Sequence, residues 1–92
     1  MIEQAELALA DRRFDDAIVL YQGIEKRFLS HAAMSAVRIG DIRVQQGRPD
    51  LAVAAYQRAT ELYPKGSMRY GAYDKLKALT KHQDKQVGGT RP

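Results

Sequence analysis

The residue types that could carry out catalysis or bind a metal are few in this chain and unfavourably spaced. Asp15 and Asp16 are adjacent carboxylates, a pairing that acid/base catalysis could use, but neighbouring side chains on a helix point about 100° apart. Acids at this place are also explained by the positive end of a helix that starts there. His31 and His82 lie far apart in the sequence, and neither belongs to an H-E-x-x-H motif. We therefore expect no metal site.

The sequence also lacks the signatures of nucleophilic and nucleotide chemistry. It has no cysteine, which excludes disulfides, thiol catalysis and cysteine-ligated zinc. It has no G-x-S-x-G, no Walker loop and no G-x-G-x-x-G. The tyrosines are better explained as core residues than as catalysts, because most of them fall on regular packing stripes. We predict a protein that is not an enzyme and that needs no cofactor.

Two helices joined by a tight turn form the centre of the chain. Gly47 and Pro49 mark the turn, because glycine suits the left-handed residue after a helix end and proline suits a first helical turn. The sequence therefore predicts helices at about 31–45 and 49–63. The small residues Gly40 and Ala52 would allow the two backbones to approach closely.

A similar helix stripe occurs thirty-five residues earlier in the chain. In both places small or apolar residues alternate with aromatic residues at i, i+4, i+7 and i+11, which lie on one face of a helix. The two stripes consist of Ala52, Tyr56, Ala59 and Tyr63, and of Ala17, Tyr21, Ile24 and Phe28. The surrounding strings, DDAIVLYQ at 15–22 and DLAVAAYQ at 50–57, also align. A fixed offset of this size indicates a repeat architecture.

These residues resemble the tetratricopeptide repeat, a helix-turn-helix unit of about 34 residues. The family pattern combines an aromatic, Leu-Gly and a tyrosine in the first helix with Ala-x3-Phe in the second, followed by a proline. The matching positions are Ile39, Gly40, Ala52, Tyr56, Ala59 and Pro64, with Gly47 in the turn and with Ala17 and Tyr21 in the earlier copy. The sequence departs from the pattern at Ala36, where the aromatic is missing, and at Arg43, where a tyrosine is usual. Both changes thin the packing of that helix.

The resemblance implies an all-α fold, in which antiparallel helix hairpins stack as a short superhelix of about five helices. Residues 33–66 would form a nearly complete repeat, residues 1–31 a degenerate repeat, and the last helix a cap. The expected helices span about 2–11, 15–28, 31–45, 49–63 and 67–82. Ser30 is the expected N-cap of the third helix, and the apolar side of the last helix would consist of Tyr70, Tyr73, Leu76 and Leu79. Residues 1–83 would form the domain, and residues 84–92 a disordered tail.

The resemblance also implies a function, because stacks of this family bind an extended peptide or a partner helix in a concave groove. The central groove candidates share one face of helix 31–45, and they are Met34, Arg38, Asp41 and Gln45. Flanking positions are expected on the first and last helices, at Glu6, Leu9 and Lys75. Glu6 and Asp41 stand where a carboxylate-binding clamp would need amides, so binding of a chaperone tail is disfavoured. We expect a protein–protein interaction module that acts as an adaptor or scaffold.

Net charge leaves other partners open. The chain carries +4 with a pI near 9.6, but its basic residues are interleaved with acids up to residue 64, so nucleic acid is an unlikely partner. One alternative is binding of an acidic polymer, nucleic acid or polysaccharide, through the basic last helix. The second alternative does not rest on charge. In it the chain is a scaffold fragment of a larger bacterial envelope or secretion complex and self-associates through its exposed repeat ends.

The sequence leaves the cellular compartment open. No stretch is apolar enough to span a membrane, and the acidic N-terminal residues do not resemble a secretory signal. We expect a soluble protein that is cytoplasmic by default, or periplasmic if the chain is a fragment of a longer one.

Overall fold

The computed structural model of the protein describes residues 2–80, and within that range it is helical without strands. Its helices pack as antiparallel neighbours, with the most extensive contacts between α3 and α4, α1 and α2, and α2 and α3. The elements are α1 (Ile2–Ala10), α2 (Phe14–Arg27), a 3-10 turn (Leu29–His31), α3 (Ala32–Gln45), α4 (Pro49–Leu62), α5 (Pro64–Arg69) and α6 (72–80). The predicted all-α hairpin stack is confirmed.

The two hairpin turns have the same backbone geometry. After α3, the amide of Gly47 donates to the carbonyl of Val44, and the amide of Arg48 donates to the carbonyl of Arg43, both at 2.9 Å. After α1, residues thirty-five positions earlier form the same pair of bonds, which is the Schellman arrangement at a helix end. That arrangement requires a left-handed residue, and the two turns use Gly47 (φ 72°) and Arg12 (φ 61°).

Two apolar clusters form the core, and together they run through the whole stack. The first lies mainly between α1 and α2 and consists of Ala5, Ala8, Ala17, Ile18, Tyr21, Ile24 and Ile42. The second lies mainly between α3, α4 and α6 and consists of Ala36, Val37, Ala52, Tyr56, Ala59 and Ala72. The small and aromatic residues of the repeat stripes therefore meet in the core, with the exception of Phe28, which follows the last residue of α2 and is 42% exposed.

Small residues are required where α3 meets its neighbours. A Cβ added at Gly40 would overlap the ring of Tyr56, and a Cβ added at Gly66 would overlap the Cβ of Ala33. Ala52 is completely buried at the same helix pair. The expectation that Gly40 and Ala52 permit close approach therefore agrees with the packing.

The structure differs from the sequence prediction after Pro64. The single helix expected at 67–82 is interrupted at Tyr70 and Gly71, because Gly71 adopts φ 74° and its carbonyl accepts the first helical bond of α6 from the Lys75 amide. The break turns Tyr70 and Tyr73 outward, and the packing side of α6 is instead Ala72, Leu76 and Leu79. The expected disordered tail, 84–92, lies outside the described residues.

The N-cap expected at Ser30 is also wrong. Ser30 lies within the 3-10 turn, His31 precedes the first residue of α3, and no side chain caps this helix end. The offset of thirty-five residues exceeds the 34-residue repeat by one, and the 3-10 turn accommodates the extra residue, since the amide of His31 bonds to the carbonyl of Phe28.

Candidate functional site

Asp41 is the centre of a polar cluster on α3, which we call the Asp41 cluster; it comprises Asp41, Arg38, Tyr56 and Lys75. The hydroxyl of Tyr56 donates to Oδ1 of Asp41 at 2.5 Å. The Nζ of Lys75 lies 2.9 and 3.1 Å from the two carboxylate oxygens, and a guanidinium nitrogen of Arg38 lies 3.6 Å from Oδ2. Three helices, α3, α4 and α6, therefore supply charge and hydrogen bonds to one carboxylate.

Burial favours the neutral form of the Tyr56 hydroxyl, which is the form that donates to this carboxylate. Burial raises the pKa of Tyr56 above its usual range, and the hydrogen bond to Asp41 raises it further because the neutral hydroxyl is the form that donates. The ring lies on Gly40, one residue before Asp41, which places the hydroxyl beside the acid. The glycine therefore also helps to position this bond.

A second buried tyrosine, Tyr21, is influenced by the charges of Glu6 and Arg38. Tyr21 is completely buried, and its hydroxyl has no hydrogen-bond partner. Burial raises the pKa of this tyrosine; the nearby charge of Arg38 opposes the shift, and those of Glu6 and Asp41 add to it. Glu6, Asp41 and Arg38 are therefore close enough to affect the ionisation of Tyr21 electrostatically.

The predicted groove residues are divided by the structure into three environments. Arg38, Asp41 and Lys75 come together in the Asp41 cluster. Met34 and Leu9 are partly buried and pack against the first core cluster, so most of their side-chain surface serves the fold. Glu6 and Gln45 are exposed.

Sequence reasoning missed a buried acid on α2. Both carboxylate oxygens of Glu25 are bonded, because the guanidinium of Arg58 reaches them at 3.0 and 2.7 Å and the hydroxyl of Tyr63 donates at 2.7 Å. Burial, followed by this bond, raises the pKa of Tyr63. The one signal in the sequence was that Glu25 directly follows Ile24, a residue of the packing stripe on α2. The sequence did not show which helices pack against α2 at that point.

The described residues contain no arrangement suited to metal chemistry. No three His, Cys, Asp or Glu side chains between residues 2 and 80 are grouped closely enough to hold an ion. None of the helices in that range is long and apolar enough to cross a membrane. The polar side chains around Asp41 and around Glu25 instead form hydrogen bonds and ion pairs with one another.

Stacked helical hairpins with small residues at the helix crossings define a helical repeat protein. The sequence profile of the tetratricopeptide repeat matches residues 2–67, and the chain belongs to that family. Domains of the family are generally protein–protein interaction modules and are typically not catalytic. Comparisons with curated proteins and with solved structures find no match.

Proposed function

We propose that the protein binds a peptide or a helix of a partner protein on the face of α3 that carries the Asp41 cluster. The observation that supports this most directly is the convergence of Arg38, Asp41 and Lys75, which come from two different helices. Peptide binding by a rigid helical scaffold needs charged groups at fixed positions, and this cluster holds three.

Arg38 is the residue best suited to contact the partner. Its side chain is 44% exposed, and its 3.6 Å separation from Asp41 is longer than that of Lys75. Because Tyr56 and Lys75 already satisfy Asp41, the guanidinium can turn to an acceptor on a partner without leaving the carboxylate unpaired. A charge-assisted bond in a partly desolvated groove is stronger than the same bond on an open surface.

An apolar depression beside the cluster offers a place for a side chain of the partner. It has a volume of about 360 Å³ and is lined by Asp41, Val44, Tyr56, Lys75, Ala78 and Leu79. Val44 is 45% exposed, so apolar surface adjoins the charged groups. This combination favours a partner segment that pairs an apolar residue with a hydrogen-bond acceptor.

Selection of a phage-displayed random peptide library on the wild-type protein supplies a probe for this face. The affinity of a selected peptide should fall at least tenfold in Arg38→Glu, since the variant removes the donor and repels acceptors. Arg38→Met removes the charge without adding an acid and should give a smaller loss. Calorimetric titration measures both, and thermal melts establish that the variants are folded.

Lys77→Glu is the matched control, because Lys77 is exposed on α6 and forms no part of the cluster. It changes the net charge as much as Arg38→Glu and should alter affinity less than twofold. Equal losses in the two variants, together with a collapse of wild-type binding between about 50 and 200 mM salt, would favour diffuse attraction to an acidic polymer instead.

A further inference from the structure

A cavity lies beside the Glu25–Arg58 ion pair and is lined by residues of α2, α3 and α4. Its volume is about 350 Å³, in the lower part of the range of roughly 300–1,000 Å³ typical of ligand pockets. Apolar residues from α3 and α4, Ala36, Ile39 and Ala55, line it together with polar residues from α2 and α4. It shares no lining residue with the depression beside Asp41.

The cavity adjoins the position at which the repeat pattern lacks its aromatic residue. Ala36 stands three residues before Ile39, where the pattern has a large aromatic side chain. Ala36 is itself buried, and it lines the cavity. The space therefore borders a position where an aromatic ring would be expected, and the chain provides only a methyl group there.

The polar residues of the cavity favour a negative group beside such a ring. The charge of Glu25 is balanced by Arg58, and its two oxygens are occupied by Arg58 and Tyr63. Lys26 also lines the cavity and is exposed, which leaves one positive charge in excess. The guanidinium of Arg58 is half exposed and has further N–H groups to donate.

We propose that this cavity binds an aromatic side chain of a partner protein that carries an adjacent carboxylate. The ring lies against Ala36 and Ile39, and the carboxylate faces Lys26 and Arg58. Residues 81–92 contain no Phe, Tyr or Trp, so this segment does not supply the ring. The site is independent of the proposed peptide-binding face.

Three small probes with related rings separate the contributions of shape and charge. Indole-3-acetate should bind more tightly than indole, and indole should bind more tightly than tryptamine, with at least a fivefold difference between the two charged probes. Amide shifts in NMR titrations of the full chain should be saturable and centred on Ala36, Ile39 and Ala55. Shifts centred elsewhere, or equal affinity for the acid and the amine, would overturn the proposal.

Two variants test the same assignment by different routes. Ala36→Trp should place a ring in the cavity, raise the melting temperature and abolish indole-3-acetate binding. Lys26→Glu changes an exposed residue, so this variant should fold even if Ala36→Trp does not. In Lys26→Glu the preference for indole-3-acetate over tryptamine should be lost. An unchanged preference in Lys26→Glu would contradict the proposal.

The remaining controls distinguish this cavity from the other surfaces. Arg38→Glu should bind indole-3-acetate with the affinity of the wild type, because Arg38 does not line this cavity. If the proposed peptide-binding face proves wrong, this test of the cavity is therefore unaffected. Tyr73 and Asp74 of a second copy also combine an aromatic residue with an acid, and both are exposed. Concentration-dependent self-association that Tyr73→Ala removes would assign the cavity to a second copy and overturn a separate partner.

Discussion

Tyr21 and Tyr56 occupy the same place in successive repeats, yet only the hydroxyl group of Tyr56 forms a hydrogen bond. Both rings are buried in the core, each on the second helix of a hairpin. The hydroxyl of Tyr56 is bonded to Asp41, whereas the hydroxyl of Tyr21 has no partner. At the positions equivalent to Gly40 and Asp41, the first repeat has Ala5 and Glu6.

The difference shows that the repeat pattern determines where a ring lies but not what its polar end binds. The packing stripe fixes both rings through small and aromatic residues. Asp41 is held near its tyrosine by Lys75 from α6, whereas the exposed Glu6 forms no such bond with Tyr21. Asp41 thus has a partner on α6, a third helix outside its own hairpin, and Glu6 has no corresponding bond to Tyr21.

The largest expected effect comes from removing the close approach of α3 to Tyr56. Gly40→Val should destabilise the protein by about 3 kcal/mol, because its side chain must displace the ring. Gly23→Val is the control, since an added Cβ at Gly23 in α2 meets nothing within 4 Å. Denaturant unfolding measures both, and similar stabilities for the two variants would mean that the ring does not pack on α3.

Removing each hydroxyl tests the comparison itself. Tyr56→Phe should cost about 1.5–3 kcal/mol, because it breaks a buried hydrogen bond to a charged group. Tyr21→Phe should be neutral or stabilising, because the hydroxyl that it removes is buried without a partner. Equal destabilisation in the two variants would show that Tyr21 does form a bond in solution.

Alkaline pH should reduce the free energy of unfolding through the ionisation of Tyr56 in the unfolded chain. The pKa of Tyr56 is raised in the folded protein above its unfolded value near 10.0, so the unfolded chain releases this proton first. The stabilisation is therefore complete below about pH 10 and declines as the pH rises above it. Between neutral pH and about pH 11 the free energy of unfolding falls in both proteins. The fall should be about 1.4 kcal/mol smaller in Tyr56→Phe than in the wild type. Urea unfolding at a series of pH values measures this, and parallel pH profiles would contradict it.

The smallest expected effect concerns the two hairpin turns. Gly47→Ala should cost about 1 kcal/mol, because it places a Cβ on a left-handed residue. Arg12→Ala should cost about 0.5 kcal/mol, since the left-handed strain is already present there and only the contact with the Phe14 ring is lost. Thermal melts that rank the two variants in the opposite order would show that the turns are not equivalent.

The helix hairpins and their core could be predicted because their signals are local or periodic. Gly47 and Pro49 act on the turn that contains them, and the stripe through Ala52 and Tyr56 repeats with the period of the helix. The break at Gly71 was missed because an isolated glycine is tolerated in a helix, and nothing nearby in the sequence shows that its φ must be positive.

The first four helices, the repeat and the small residues at the crossing of α3 and α4 follow from the sequence alone. Only the tertiary structure decided which polar groups meet: Glu25 with Arg58 and Tyr63, and Asp41 with Tyr56 and Lys75. These partners are separated by 15 to 38 residues, so their contact depends on how the helices are placed side by side. Helical periodicity fixes the face on which a side chain lies, whereas the distance between two helices depends on every residue packed between them.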